Sequence, residues 1–150
     1  MRLKVPPALQ FAFFALLIWL VDRWFPAKHL QFSHQNLVSW FIFFVGALIG
    51  IWAVLSFKKA RTTVDPTRPE KATALVIIGC YRFSRNPMYL AMLLVLLAYT
   101  IRLGNLYTLL LPAAYVLYIT EFQIKPEESA LSALFGEAYL LYKKKVRRWI

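Results

Sequence analysis

Cysteine, histidine and acidic side chains are all scarce in this chain of 150 residues. It has one cysteine, Cys80, two histidines, His29 and His34, and seven Asp and Glu against eighteen Lys and Arg. A single cysteine excludes an intramolecular disulfide and any zinc site built on several thiolates. No Cys or carboxylate cluster joins His29 and His34, so no metal site is expected. There is no GxGxxG and no Walker loop, which removes Rossmann and P-loop nucleotide sites. The GxSxG nucleophile elbow of α/β-hydrolases is missing too. The shortage of acids leaves a formal charge of +11. A nucleic-acid binder would also be basic, but it would not carry uncharged stretches near 20 residues long.

Apolar residues are in excess. They make up 60% of the chain, and the mean hydropathy is +0.55, too high for an average soluble domain. An apolar and basic chain of this length reads as one integral membrane domain, all-α, with positive cytoplasmic flanks. The first apolar run covers residues 7–25, with Pro6 and Pro7 suited to a helix start. Arg2 and Lys4 before it look like the start of a signal peptide. No small-residue cleavage site follows, however, and Asp22-Arg23-Trp24-Phe25 reads as an interfacial end, so the run is taken as a retained span. The second run, residues 36–57, is uncharged and contains Gly46 and Gly50 in a GxxxG pattern that permits close helix pairing. Residues 1–57 therefore form two N-terminal spans.

A polar connection follows at residues 58–71, interrupted by Pro66 and Pro69. An apolar piece, residues 72–78, is too short to span a bilayer and is re-entrant, interfacial or packed on the bundle. A third span is expected over residues 87–101. The turn Arg102-Leu103-Gly104-Asn105 then leads to a fourth span over residues 106–122, with Pro112 as its kink. The tail reads as a basic amphipathic helix beginning at Pro126, with Leu131, Leu134, Phe135, Ala138, Leu141 and Tyr142 on one face, lying on an anionic membrane surface. This gives about four transmembrane helices with a helical hairpin in the C-terminal half. Two Lys and Arg lie at the N-terminus, seven in residues 58–85 and six from Lys125 onward, with only Arg23, Lys28 and Arg102 on the other side. The positive-inside rule then puts both termini and the central loop in the cytoplasm, with the bilayer as the protein's first partner.

Two polar segments sit where spans meet basic loop. One is Gly79-Cys80-Tyr81-Arg82-Phe83-Ser84-Arg85-Asn86-Pro87-Met88-Tyr89. The other is Glu121-Phe122-Gln123-Ile124-Lys125-Pro126-Glu127-Glu128. Polar groups this close to hydrocarbon are costly unless used. Arg82 and Arg85 also fit an ordinary positive flank, Tyr81 and Tyr89 an aromatic belt, and Glu127 and Glu128 a helix N-terminus. Cys80 reads as a small apolar filler.

The first segment, followed about forty residues later by Glu127-Glu128, Leu131, Phe135-Gly136, Tyr139, Tyr142 and Val146, resembles the isoprenylcysteine carboxyl methyltransferase family, with its bacterial homologues and the related phospholipid methyltransferases. The likeness covers roughly residues 62–150, and residues 58–150 become the cofactor-binding region. It implies an S-adenosylmethionine-dependent methyltransferase of the cytoplasmic membrane, acting on a lipophilic small molecule. Carried over, the family's cofactor contacts fall on Thr73, Ala74, Leu75, Val76, Tyr81, Asn86, Pro87, Met88, Tyr89 and Glu127. Two positions depart from the eukaryotic members. Asn86 stands where they have histidine, and Gln123 stands where they have a substrate-handling arginine. Gln123, Glu128 and Arg85 are therefore the candidate catalytic residues. Arg85 or Lys125 would replace the lost charge, and Glu128 or Tyr89 would take a proton from an amine or thiol acceptor. Two other functions fit the same composition. One is an NADPH-dependent membrane reductase of the sterol-reductase type, whose cofactor would suit Arg82, Arg85 and the tail. The other is a non-enzymatic protein whose basic tail binds anionic lipid.

Overall fold

The computed structural model of the chain describes residues 5–25, 30–60 and 74–150. Thr73, His29 and most of the polar connection, residues 61–71, lie outside the described residues. Among the described residues the protein is all-helical. Helix α1 is Pro7–Trp24, α2 is Gln35–Lys59, α3 is Pro87–Leu103, α4 is Leu110–Ile119 and α5 is Lys125–Lys145. α1 and α2 are long and apolar enough to cross a bilayer, and α3 is a shorter apolar helix.

The helices alternate in direction, as their end contacts show. At one end, Gln10 of α1 meets Gln123, and the last turns of α2 meet Gly79. At the other end the fully buried Asn105 joins α1 to the turn after α3. Its Nδ2 donates to Asp22 Oδ1 at 3.2 Å and to the Phe25 carbonyl at 3.1 Å, and its Oδ1 accepts from Tyr107 N at 3.0 Å. Gln35 Nε2, at the start of α2, donates to the Ile101 carbonyl at 2.7 Å. Each amide consumes backbone or side-chain partners that hydrocarbon would leave unsatisfied.

Close packing of α2 on α3 explains the paired glycines. A Cβ on Gly46 would lie 3.0 Å from Leu94 Cβ and 3.1 Å from the Ala91 carbonyl oxygen, whereas one on Gly50 would lie 3.4 Å from Ala91 Cβ. Small residues let the backbones approach, and Ser39 Oγ then reaches the Ala98 carbonyl across the same seam at 2.8 Å. The main core gathers Phe14, Ile18, Tyr89, Leu96, Tyr115, Ile119 and Ile124 from α1, α3 and the α4–α5 junction. The opposite face of α2 carries Phe41, Phe44, Leu48, Ile51 and Leu55 exposed. A soluble monomer rarely exposes so continuous an apolar face, whereas lipid accommodates it.

Three details differ from the sequence expectation. Pro112 does not kink a span: it lies in the first turn of α4, where its missing N–H is no loss. The irregularity falls later, in a π-helical turn, Thr120–Ile124, that runs into α5 without a break. Pro126 follows that π turn inside the continuous helical run, so its missing N–H and its ring fall where the regular i−4 ladder is already interrupted. The tail is not one helix to its end. Gly136 interrupts α5 with φ 51° and ψ −125°, a left-handed conformation that glycine adopts most readily. Residues 146–150 then leave the helix, starting from extended backbone at Val146. The inner face of α5 buries Tyr139 and Tyr142, with Leu131 and Phe135 partly covered, while Leu134 and Leu141 stay exposed.

The spacing at the two glycines gives a paired expectation. Gly50→Ala should be neutral or stabilising by up to about 1 kcal/mol, because a helical alanine replaces a helical glycine without a clash. Gly46→Ala should cost about 1 kcal/mol through overpacking against the Ala91 carbonyl. Thermal midpoints of both variants in one detergent would check this, and equal shifts would contradict the close approach at Gly46.

Candidate functional site

The polar stretch between α2 and α3 is anchored by Gly79. Its φ is 62°, and a Cβ there would fall 2.5 Å from Ser56 Oγ and 3.0 Å from Trp52 Nε1, so both backbone and space call for glycine. The 3-10 turn Gly79–Arg82 buries Cys80 and Tyr81 against Ala53 and Val76. The Tyr81 ring stands edge-on to Phe57 at 5.3 Å, and its carbonyl accepts from Tyr142 Oη at 2.7 Å. Burial pushes the Cys80 thiol up, as expected of an inert filler. Asn86 precedes α3 and Pro87 opens it, which places Tyr89 within the first turn, facing the α4–α5 junction.

There the π-helical turn sets Gln123 and Glu127 on one face. Single π turns inside α-helices are rare and recur at functional sites. Tyr89 Oη donates to Glu127 Oε1 at 2.5 Å, and Gln123 Nε2 donates to the same oxygen at 2.6 Å. Gln123 Oε1 accepts from Gln10 Nε2 at 3.0 Å. Four side chains from α1, α3, the π turn and α5 thus form one hydrogen-bonded row ending on a carboxylate. Burial raises the Glu127 carboxyl to about 7, since the neutral donors Tyr89 and Gln123 offset desolvation only in part and Glu128 adds repulsion.

The neighbouring Glu128 has a different environment. Arg148 grips it bidentately, Nε to Oε1 at 3.0 Å and Nη2 to Oε2 at 2.7 Å. Arg85 Nη2 lies 3.0 Å from Oε1, and Lys143 Nζ stands 4.0 Å from Oε2. Burial alone would raise this carboxyl, but the Arg148 hydrogen bonds and the three cations outweigh it and hold it below the usual carboxylate range. An anion so paired is a poor base, which bears on the proton-acceptor role expected of Glu128 from the sequence.

Residues 146–150 form a strap across the start of α3. Arg85 N donates to the Arg147 carbonyl at 3.0 Å, and Asn86 Nδ2 donates to the Arg148 carbonyl at 2.9 Å. Trp149 packs against the main core. An apolar cavity of about 290 Å³ opens between α1, α2 and α3, lined among others by Phe11, Gly46, Gly50, Met88 and Met92.

The structure brings Arg85, Asn86, Pro87, Met88, Tyr89, Gln123, Glu127 and Glu128 to one end of the bundle. Tyr81 and Val76 lie beside them but buried against α2, and Leu75 packs on the Tyr139–Tyr142–Val146 cluster. Ala74 is half-buried. Three residues were not singled out from the sequence. Gln10 had a signal, as a lone amide in an apolar run that must find a partner. Arg148 was hidden in a basic run, and Ser84, whose Oγ accepts from Asn86 N at 3.1 Å, had none.

A family model described as phospholipid methyltransferase matches residues 35–138 of the chain. The match takes in α2, the Gly79–Tyr89 stretch and both glutamates, and it stops short of the strap. An uncharacterised protein of Haemophilus influenzae is 49% identical over 63 residues, which is the whole of that protein and 42% of this chain.

Glu128→Ala should leave Arg85 and Arg148 facing each other without their anion, at a cost of about 3 kcal/mol. The strap should detach, so that trypsin cleaves between Lys143 and Arg148 roughly tenfold faster while the rest of the protein stays folded. The clamp should also be pH-dependent. The folded carboxyl titrates below its ordinary 4.5, so the stabilisation is complete above that value and is lost as pH falls through the folded one. Trypsin is inactive there, so pepsin digestion of the wild-type strap on acidification reads this out, and Glu128→Ala should lack the transition.

Proposed function

We propose, because the chain belongs to the phospholipid methyltransferase family, that it is a membrane enzyme transferring a methyl group from S-adenosylmethionine to a lipophilic acceptor. The observation that carries this reading is the row Tyr89–Glu127–Gln123, which sits between the start of α3 and the π turn, while Met88, the residue before Tyr89, lines an apolar cavity. The family match favours methyl transfer over the reductase reading of the sequence. On this proposal four segments cross the bilayer: α1, α2, α3 and residues 106–122. Both termini face the cytoplasm, since the basic residues Lys58, Lys59, Arg85, Lys143 and Arg148 gather at the end that holds the site.

The residues present suit this cofactor. Its sulfonium supplies an electrophilic methyl group, and its ribose and ammonium supply hydrogen-bond donors. Glu127 Oε1 already accepts from Tyr89 and Gln123, which leaves Oε2 for a further donor. Tyr89 adds an aromatic face suited to a cation. Asn86 holds the strap by its amide nitrogen, and its side-chain oxygen remains to accept. The strap and Trp149 keep water from one side of the site, which sharpens alignment of acceptor and methyl carbon. The apolar cavity lined by Met88 and Met92 is open to an acceptor entering from the bilayer. Glu127, rather than the clamped Glu128, is the carboxylate placed to receive a proton from an amine acceptor.

Calorimetry with the purified protein should detect S-adenosylhomocysteine binding. Tyr89→Ala and Glu127→Ala should each weaken it at least tenfold, about 1.4 kcal/mol. Absence of binding by folded wild-type protein would sink the proposal.

Binding should also depend on pH. A ligand that donates to Glu127 favours the carboxylate, so it lowers a carboxyl that sits near 7 without ligand. Affinity should then rise as pH climbs toward about 7 and level off above it. The slope should vanish in Glu127→Gln.

A further inference from the structure

Arg85 carries more positive charge into the interior than the described residues around it neutralise. Its side chain is 9% exposed, and Glu128 pairs with only one of its nitrogens, Nη2. Nε and Nη1 are buried and have no hydrogen-bond partner among the described residues. Most of the donors on this guanidinium are therefore unpaired among the described residues. The same carboxylate is shared by Arg148 and Lys143, so one anion faces three cations. A buried charged donor left unmade is costly, and native proteins keep one where a partner arrives. Arg85 is fixed at both ends for such a role: its backbone N–H is held by the Arg147 carbonyl, and its Nη2 by Glu128.

From these observations we infer that Arg85 is an anion-binding residue of the site, whose unpartnered nitrogens take the oxyanion of a bound small molecule. Its place identifies which part of the molecule that is. Arg85 immediately precedes Asn86 and Pro87, and its partner Glu128 immediately follows Glu127. The oxyanion therefore lies on the strap side of the site, where the residues before α3 meet the first turn of α5. On the proposed function, two molecules could present an oxyanion there: the cofactor through the carboxylate of its amino-acid end, and the acceptor through a phosphate or carboxylate headgroup. Guanidinium N–H groups suit either one. Glu128 then acts as a positioning residue. It orients Arg85 through one nitrogen and leaves the others available, while Arg148 supplies the charge that keeps Glu128 from needing all of Arg85.

The inference rests on the proposed function for its location but is tested apart from it. Binding of S-adenosylhomocysteine and of 5′-methylthioadenosine, which lacks the amino-acid end, is measured on full-length protein in detergent for wild type and Arg85→Lys. If Arg85 holds the cofactor carboxylate, Arg85→Lys weakens S-adenosylhomocysteine at least tenfold and changes 5′-methylthioadenosine less than twofold. If the oxyanion belongs to the acceptor, the two nucleosides respond alike, while inorganic phosphate raises the thermal midpoint of wild type and not of Arg85→Lys. The inference is overturned if Arg85→Lys leaves both nucleosides and the phosphate response unchanged. Should Arg85→Lys not fold, wild type alone decides. Equal affinity for S-adenosylhomocysteine and its decarboxylated analogue, with no midpoint shift in phosphate, overturns the inference as well. If neither nucleoside binds folded wild type, the proposed function fails. A phosphate response controlled by Arg85 would still uphold the anion site.

Discussion

The carboxylate of Glu128 ties together three segments that are far apart in sequence. Arg85 comes from the stretch before α3, Glu128 from the first turn of α5, and Arg148 from the strap. With its side chain only 8% exposed, Glu128 has given up most of its hydration, a penalty of several kcal/mol that only close and well-directed partners offset. The bidentate contact from Arg148 supplies that geometry and thereby fixes the path of the strap. Once Arg148 is fixed, its carbonyl meets Asn86 Nδ2, the Arg147 carbonyl meets Arg85 N, and Trp149 reaches the core beneath. The strap is short, and one ion cluster anchors it beside these main-chain and side-chain contacts. The start of α3, which carries Tyr89, is therefore positioned partly by the last residues of the chain.

A second constraint lies deeper in the bundle and works by the opposite means. Between α2 and α3 there is little charge, and close approach at Gly46 does the holding. In lipid the helices gain nothing from apolar burial as such, so tight contact and a few fully paired polar groups must serve. Ser39 and Asn105 are such groups, each with its bonds made inside the protein. The same small residues leave the apolar cavity beside Met88 and Met92. One seam thus accounts for both the packing and the open space that the proposed acceptor would use.

The apolar runs, the prolines at helix starts and the meeting of the Gly79–Tyr89 stretch with Glu127 were legible because each rests on local pattern or on a motif pair. α1, α2 and α3 begin and end within two residues of the expected places. Pro112 was misread as a kink because a proline looks the same in the first turn of a helix as in its middle; only the 3-10 turn Leu106–Leu109 before it decides the matter. The π turn has no sequence signature, since it depends on what Gln123 and Glu127 must reach. The strap was read as more helix because a run of Lys and Arg is equally good helix surface. Nothing local shows that Arg148 is owed to a carboxylate twenty residues earlier. Gln10 was the detectable omission, because an amide among Leu and Phe needs a partner that the chain must supply.

Glu127 and Glu128 are adjacent in sequence and look like a dyad, but a helix turns about 100° per residue, so neighbours face different surroundings. Glu128 faces three cations and stays ionised. Glu127 faces Tyr89 and Gln123, which donate hydrogen bonds without bringing charge, and its carboxyl remains near 7. The identity of residue 123 decides this difference. An arginine there, four residues before Glu127 and on its face, would form a second ion pair and hold Glu127 down as Arg148 holds Glu128. With Gln123 the amide is turned between two jobs, accepting from Gln10 and donating to Glu127, and it leaves the negative charge of Glu127 uncancelled by the protein. On the proposed function the ligand gains from that, because charge already neutralised by an arginine has little left to offer a sulfonium or an ammonium. On the proposed function, Gln123 leaves the carboxylate of Glu127 free of an ion pair, and the buried cation beside the site is Arg85, on Glu128.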